Sequence, residues 1–333
     1  MDLAYPPRIP LARLPTPLQA LPRISAELGG GHRLWVKRDD LTDAALSGNK
    51  LRKLEFVTAA AQQQDCKVLI TCGGVQSNHC RATALVGAQL GLKVHLILRG
   101  EQPSDIDGNL LLDHLAGAHI SHYPARQYVD ELDQLFEYWR AHYAGQGERA
   151  LLIPTGASDG IGIWGYIAAA EELQQDFRQA EIEQAEVICA TGSGGTQAGL
   201  TLGAALHQVP MRVWGINVCD DEAWFLNKVE EDVADWQRRY APAEPLPEIQ
   251  PAVIDGYVGP GYGRADAEVF DTIARLARLE GLVLDPVYTG KAFHGLLQEI
   301  AAGRFSGCRD IVFIHTGGIF GVFPQRDQFG FQA

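Results

Sequence analysis

Ser47-Gly48-Asn49-Lys50-Leu51-Arg52-Lys53-Leu54-Glu55 follows a β-like run, Leu34-Trp35-Val36-Lys37, and an acidic turn, Arg38-Asp39-Asp40. Leu51, Leu54, Val57 and Ala61 recur at helical spacing, which puts one apolar stripe on a helix ending near Gln64. Ser47 or Asn49 is the expected cap, and Gly48 lets the backbone turn tightly. Lys50 then sits in the first turn, where free N–H groups and the positive end of the dipole disfavour an ammonium. Crowded by Arg52 and Lys53, it is expected to lose its proton more readily than a free lysine. A neutral lysine amine is what Schiff-base chemistry uses. The same nine residues also suit a solvated surface lysine, so the rest of the chain has to decide.

Outward from this stretch, strands and helices alternate. Residues 1–33 are proline-rich and mostly irregular, with a short helix expected after Thr16-Pro17-Leu18. Short apolar runs at Val68–Thr71, Val94–Leu98, Ile120–Tyr123, Leu151–Pro154, Val187–Ala190, Val213–Val218 and Ile311–His315 read as buried strands. Helical stretches separate them, one of them stopped at Gly91. This alternation means βαβ units, and so an α/β protein with parallel sheets flanked by helices. Ala241–Pro251, with four prolines, reads as a surface linker.

Composition narrows the function. The 333 residues carry 28 Lys plus Arg against 41 Asp plus Glu, a net charge of −13. That disfavours nucleic acid or an anionic membrane as a partner. No apolar run is long enough to span a bilayer. The N-terminal stretch has neither a signal-type apolar region nor an Arg/Ser-rich presequence, so a cytoplasmic chain starting near Met1 is expected. Six scattered cysteines without a C-x-x-C suit a reducing compartment, and no metal site is expected.

Four loops at the carboxyl ends of expected strands hold the chemistry, where α/β sheets bind ligands. Gly73-Gly74-Val75-Gln76-Ser77-Asn78-His79 brings Ser77 to a helix start, as a cap or as a ligand group. Gly192-Ser193-Gly194-Gly195-Thr196 puts three glycines between a strand and a helix, so that successive N–H groups can close round a phosphate. It lacks the Walker spacing. Tyr262 and Tyr288 lie in glycine-containing turns and can serve as proton donors. Gly160-Ile161-Gly162-Ile163-Trp164-Gly165 matches a dinucleotide fingerprint, but five residues part it from the preceding strand. It reads as a decoy. A lysine at a helix start, a separate glycine cup and a Ser-Asn turn together meet the needs of pyridoxal 5'-phosphate: an amine, a phosphate cradle and polar groups for the ring.

Four long motifs carry a resemblance: Leu46-Ser-Gly-Asn-Lys-Leu-Arg-Lys-Leu-Glu-Phe56, Gly73-Gly-Val-Gln-Ser-Asn-His-Cys-Arg-Ala82, Asp285-Pro-Val-Tyr-Thr-Gly-Lys291 and Phe313-Ile-His-Thr-Gly-Gly318. The chain resembles, over nearly its whole length, the D-cysteine desulfhydrase and 1-aminocyclopropane-1-carboxylate deaminase family. It is most similar to the plant-type desulfhydrases. These are fold-type II pyridoxal-phosphate enzymes with a tryptophan synthase β-like architecture. The resemblance implies a large cofactor-binding domain of residues 1–50 and 160–333, and a small inserted α/β domain of residues 51–159. It implies a homodimer as well.

The resemblance also implies roles. Lys50 is the Schiff-base lysine, and Lys53 assists at the phosphate. Asn78 bonds the ring hydroxyl. Ser77, with Asn78 and His79, faces the substrate. Gly192, Ser193, Gly194, Gly195 and Thr196 hold the phosphate. Tyr262 and Tyr288 flank the substrate, with Thr289 beside them, and Thr316 lies by the pyridine nitrogen. The deaminases carry Glu where Thr289 stands and Leu where Thr316 stands. A carboxylate there would keep the ring nitrogen protonated and deepen the electron sink; a threonine offers a neutral hydrogen bond. The weaker sink suits β-elimination. The expected reaction is therefore α,β-elimination of D-cysteine to pyruvate, hydrogen sulfide and ammonia. Lys50, Ser77, Tyr262 and Tyr288 are its catalytic candidates. The alternatives are deamination of 1-aminocyclopropane-1-carboxylate to 2-oxobutyrate, a lyase for another β-substituted amino acid such as cysteate, and a cofactor-binding protein without activity.

Overall fold

The computed structural model describes residues 3–241, 243 and 245–331. Met1, the expected start, and residues 242 and 244 of the proline-rich linker lie outside the described residues. The first half of the chain forms β1 (Leu18–Ala20), α1 (Pro22–Leu28), β2 (Arg33–Lys37), α2 (Asn49–Gln63), β3 (Val68–Gly74), α3 (Asn78–Leu90) and β4 (Lys93–Arg99). It continues through α4 (Gly108–Leu115), β5 (His119–Tyr123), α5 (Ala125–Gly145) and β6 (Ala150–Leu152). The second half forms α6 (Trp164–Gln179), β7 (Ala185–Thr191), α7 (Gly195–His207), β8 (Met211–Asn217) and α8 (Glu222–Tyr240). After it come β9 (Ala252–Ile254), α9 (Ala267–Glu280), α10 (Thr289–Ala301) and β10 (Asp310–Ile314).

Two sheets result. One has six strands in the order β1-β2-β10-β7-β8-β9, the other four in the order β5-β4-β3-β6. Every pairing is parallel except β1 on β2, where Leu18 faces Lys37. Val68, Leu69 and Ile70 of β3 and Ile311 and Val312 of β10 are wholly buried. Strands covered on both faces read as continuous apolar runs, which is why these were legible in sequence. Two short strands were not. The segment after Thr16 pairs as the edge strand β1, and the helix waits for Pro22, which suits a first helical position. β9 has only three residues behind the proline-rich segment, too few to show a period.

The helix carrying Lys50 is held by charge as well as by its apolar face. Arg52 is buried and donates to Asp39 (2.7 and 3.0 Å) and to Glu172 (2.9 Å). Tyr166 adds a hydrogen bond to Asp39 Oδ2 (2.5 Å), and Lys37 pairs with Glu172 and Asp176. Burial would raise the Asp39 carboxyl, but the Arg52 guanidinium holds it below the usual carboxylate range. Removing one partner of such a pair strands a buried charge, at about 3–5 kcal/mol. The network ties α2 to α6. Gly165 of α6 makes that approach possible, since a Cβ there would meet the Arg52 backbone at 2.6 Å. This is the job of the decoy's last glycine: close helix packing.

Candidate active site

Lys50 opens onto a cleft of 510 Å³ at the carboxyl ends of β3, β4, β7 and β8. Gly48 stands at the N-cap of α2, at φ 108° and with no side-chain cap. The expected caps have other partners. Ser47 Oγ donates to Asp40 O (2.8 Å), and Asn49 Nδ2 donates to Thr196 Oγ1 (3.0 Å). A Cβ at Gly48 would lie 2.5 Å from Thr316 O, and Asn49 N donates to the same oxygen (3.1 Å). The Lys50 turn is thus pinned to both the β10 loop and the start of α7.

Burial lowers Lys50 to about 8. Of the sequence-based causes, crowding by Arg52 is the one the structure removes. Arg52 points away into its carboxylates, so it does not crowd the amine. The sign follows: above about pH 8 the amine is neutral and nucleophilic. In cofactor-free protein, covalent attachment of pyridoxal phosphate should speed up with pH and level off above about 9, one unit past the value of about 8. Stopped-flow absorbance across pH 6–11 checks it, to within roughly half a unit. A rate still climbing beyond pH 10, near an ordinary lysine at about 10.4, would show an unshifted amine.

Across the cleft, β7 runs into Gly192–Thr196 and α7. Gly194 is the N-cap of α7, at φ 83° and without a side-chain cap. Ser158 closes the cup, accepting from Gly195 N (3.1 Å) and donating to Ser193 Oγ (2.9 Å). Lys53 does not line the cleft. It is wholly buried below the cup, donating to Gly156 O (3.2 Å) and Ser158 Oγ (3.3 Å). Burial pushes its amine well below the ordinary value. Lys228, which the sequence did not single out, reaches the cup from α8 and pairs with Asp232, itself raised to about 6 by burial. The only sequence signal was the Lys228/Asp232 spacing of one helical turn.

On the third wall, Ser77 caps α3 by accepting from Cys80 N (3.2 Å) and also lines the cleft. Asn78 lines it beside Ser77, and its Oδ1 is buried with no partner. His79 shares a hydrogen bond with Thr71 Oγ1 (2.8 Å), and burial holds it well below the ordinary histidine value, hence neutral. Tyr262 and Tyr288 meet hydroxyl to hydroxyl at 2.6 Å. Burial raises both phenols, so both stay protonated and able to donate. Thr316 completes the lining.

Thr289 is the exception. It is wholly buried outside the cleft lining. Its hydroxyl donates to Asp285 Oδ1 (2.6 Å) and accepts from Asp285 N (2.8 Å). The Asp285 carboxylate also accepts from the N–H groups of Val287, Tyr288 and Thr289, so it caps α10 and takes Thr289 with it. The sequence expectation of a substrate contact at Thr289 is therefore corrected. Thr289→Glu should bury a second carboxylate against Asp285 and destabilise the fold by about 3 kcal/mol or more. A thermal melt unchanged from wild type would contradict that.

These residues fit pyridoxal phosphate. Asn78 Oδ1 is an orphaned acceptor at the cleft. A Cβ at Gly156 would come within 3.0 Å of Lys50 Nζ, and one at Gly192 within 2.9 Å of the Tyr288 ring, so side chains there would fill the cradle. The family model described as "Pyridoxal-phosphate dependent enzyme" matches residues 9–317. The chain belongs to that family and uses its cofactor. Within it, the chain is 38% identical to the "Bifunctional D-cysteine desulfhydrase/1-aminocyclopropane-1-carboxylate deaminase, mitochondrial" of Arabidopsis thaliana, over 96% of this chain and 80% of that one. It is 37% identical to the "D-cysteine desulfhydrase" of Serratia proteamaculans, over 98% of both. A solved structure described as an ACC deaminase homologue superposes with TM-score 0.86 at 35% identity, covering 97% of this chain and 95% of that one. The chain is a pyridoxal-phosphate-dependent lyase of the D-cysteine desulfhydrase and 1-aminocyclopropane-1-carboxylate deaminase group.

Among the described residues no helix is long and apolar enough to cross a membrane.

Proposed function

We propose that the protein is a D-cysteine desulfhydrase, converting D-cysteine to pyruvate, hydrogen sulfide and ammonia by α,β-elimination. The observation that carries the choice over ring-opening deamination is Thr316, a neutral hydroxyl residue in the cleft wall. Among the described residues the one carboxylate lining the cleft is Asp220, which accepts from the Cys219 thiol (3.2 Å). Thr289 is turned into the α10 cap, which leaves Thr316 as the one of the two threonines in the cleft wall.

Pyridoxal phosphate, when bound, supplies an aldehyde for the amino group and a conjugated ring that accepts an electron pair. Residues Gly192–Thr196 would hold its phosphate, Lys50 its aldehyde carbon and Asn78 its ring hydroxyl. Lys50, neutral above about pH 8, would be the base able to take the Cα proton. The Tyr262–Tyr288 pair keeps a phenolic proton available for the departing thiolate, and the phenols' raised values prevent its early loss. Ser77 and the first N–H groups of α3 suit the substrate carboxylate. Residues 51–159 are proposed as a small domain closing over substrate; all strands of the four-stranded sheet fall within them. A cytoplasmic homodimer is proposed on family resemblance.

The test is product formation in parallel from D-cysteine, L-cysteine and 1-aminocyclopropane-1-carboxylate. Pyruvate and sulfide should form from D-cysteine, and 2-oxobutyrate slowly or not at all. Efficient 2-oxobutyrate release with negligible sulfide would promote the deaminase reading.

A further inference from the structure

Arg99 ends β4, directly opposite Gly74 in the β3–β4 register. Its guanidinium stacks 4.7 Å from the Tyr262 ring centroid and 6.0 Å from that of Tyr128. Arg99 is half-buried, and the two arginines wholly buried near the site are engaged. Arg52 holds Asp39 and Glu172, and Arg81 donates to Asn109 Oδ1 and to the carbonyls of Leu46 and Ser47. Among the described residues, Arg99 has neither an ion-pair nor a hydrogen-bond partner; its contacts are the two aromatic faces. A guanidinium is a planar fork of donors made for an oxyanion, and leaving it unpaired beside a cleft forgoes that energy.

Its surroundings leave room for an anion. Arg99, Gly74 and Tyr262 line both the 510 Å³ cleft and a second cavity of 630 Å³ beside it. The second cavity also presents Arg264, Gln76, Gln325 and Gln328, and no acidic side chain. In the cleft, Asp220 accepts from Cys219 and forms no ion pair with Arg99. The Tyr262 ring that Arg99 stacks on carries the hydroxyl bonded to Tyr288, so the cation stands behind the proposed proton donor. The helix α3 start lies in the same cleft and can take the α-carboxylate every amino acid shares. That leaves Arg99 for a second negative group.

We propose that Arg99 is a specificity-determining residue, selecting amino acids whose side chain ends in an anion over neutral ones of the same shape. This rests on the desulfhydrase reading only in taking the cleft as the amino-acid site, and bears on D-cysteine through the thiolate that forms as its Cβ–S bond breaks. A developing thiolate, a sulfonate and a carboxylate share the required chemistry.

Aspartate and asparagine are isosteric and differ in that charge, and neither needs to react. Both enantiomers of each are titrated into the holoenzyme, and binding is read from the absorbance of the bound cofactor. Wild type should bind aspartate about tenfold or more tighter than asparagine, in the enantiomer it accepts, as expected of a charge-assisted contact. Arg99→Gln should erase the preference while leaving asparagine within about twofold. Arg99→Lys should keep part of it. Cofactor affinity and melting temperature of each variant report on the fold. A wild type that does not discriminate overturns the proposal. So does an Arg99→Gln that weakens both ligands equally, because Arg99 would then serve the α-carboxylate or the fold. The binding preference can stand even if D-cysteine yields no pyruvate, so failure of the desulfhydrase reading is separately visible.

Discussion

Lys50→Ala should leave no cofactor bonded to the chain. After borohydride reduction of the wild type, the peptide containing Asn49–Lys53 should carry the cofactor mass; in the variant, no peptide should. Elimination from D-cysteine should fall by about a thousandfold or more, since both the covalent anchor and the Cα base are lost. The structure makes this specific to one lysine. Lys53 is buried below the glycine cup with its amine turned to Gly156 O and Ser158 Oγ. Lys228 is paired with Asp232 and also donates to Ser158 O (3.1 Å). Neither is free to replace Lys50 without breaking buried contacts. Cofactor trapped at Lys53 or Lys228 in the wild type would refute the assignment.

Gly194→Asp should abolish cofactor retention while the protein stays folded. Gly194 holds φ 83°, and a Cβ would come 2.7 Å from Lys228 Cγ. A side chain there costs about 1–3 kcal/mol in backbone conformation alone. The added carboxylate faces the phosphate and competes for Lys228. Together these should weaken pyridoxal phosphate binding by about a hundredfold or more, each tenfold being about 1.4 kcal/mol. Equilibrium titration of the cofactor-free variant gives the affinity, and far-ultraviolet circular dichroism reports the fold. A variant that titrates like wild type would move the phosphate cup elsewhere.

Much of the site was legible because it is built from local punctuation. A strand, a glycine-rich turn and a helix start are written in adjacent residues, as in Gly192–Thr196 and Gly73–Asn78. The α/β alternation was legible for the same reason, since buried parallel strands are unbroken apolar runs. Misreadings fell where a side chain chooses among distant partners. Asn49 looked like a cap and instead spans to Thr196, and Thr289 looked like a substrate contact and instead completes the Asp285 cap. Arg99 went unnoticed because a lone cation at a strand end has no local signature, and Lys228 because its i,i+4 pairing with Asp232 reads as an ordinary helix-surface ion pair.

The amino-acid sequence by itself determined the parallel α/β architecture, the lysine at the start of its helix, the glycine cup and the family. These depend on residue order over a few turns of chain. Only the tertiary structure decided why Lys50 is acidic, which threonine faces the cleft and which cations stay unpaired. Those are matters of burial and of partners far apart in the chain. Arg52, two residues from Lys50 in the same motif, finds Glu172 at a separation of 120 residues, and that pairing leaves desolvation to set the Lys50 amine.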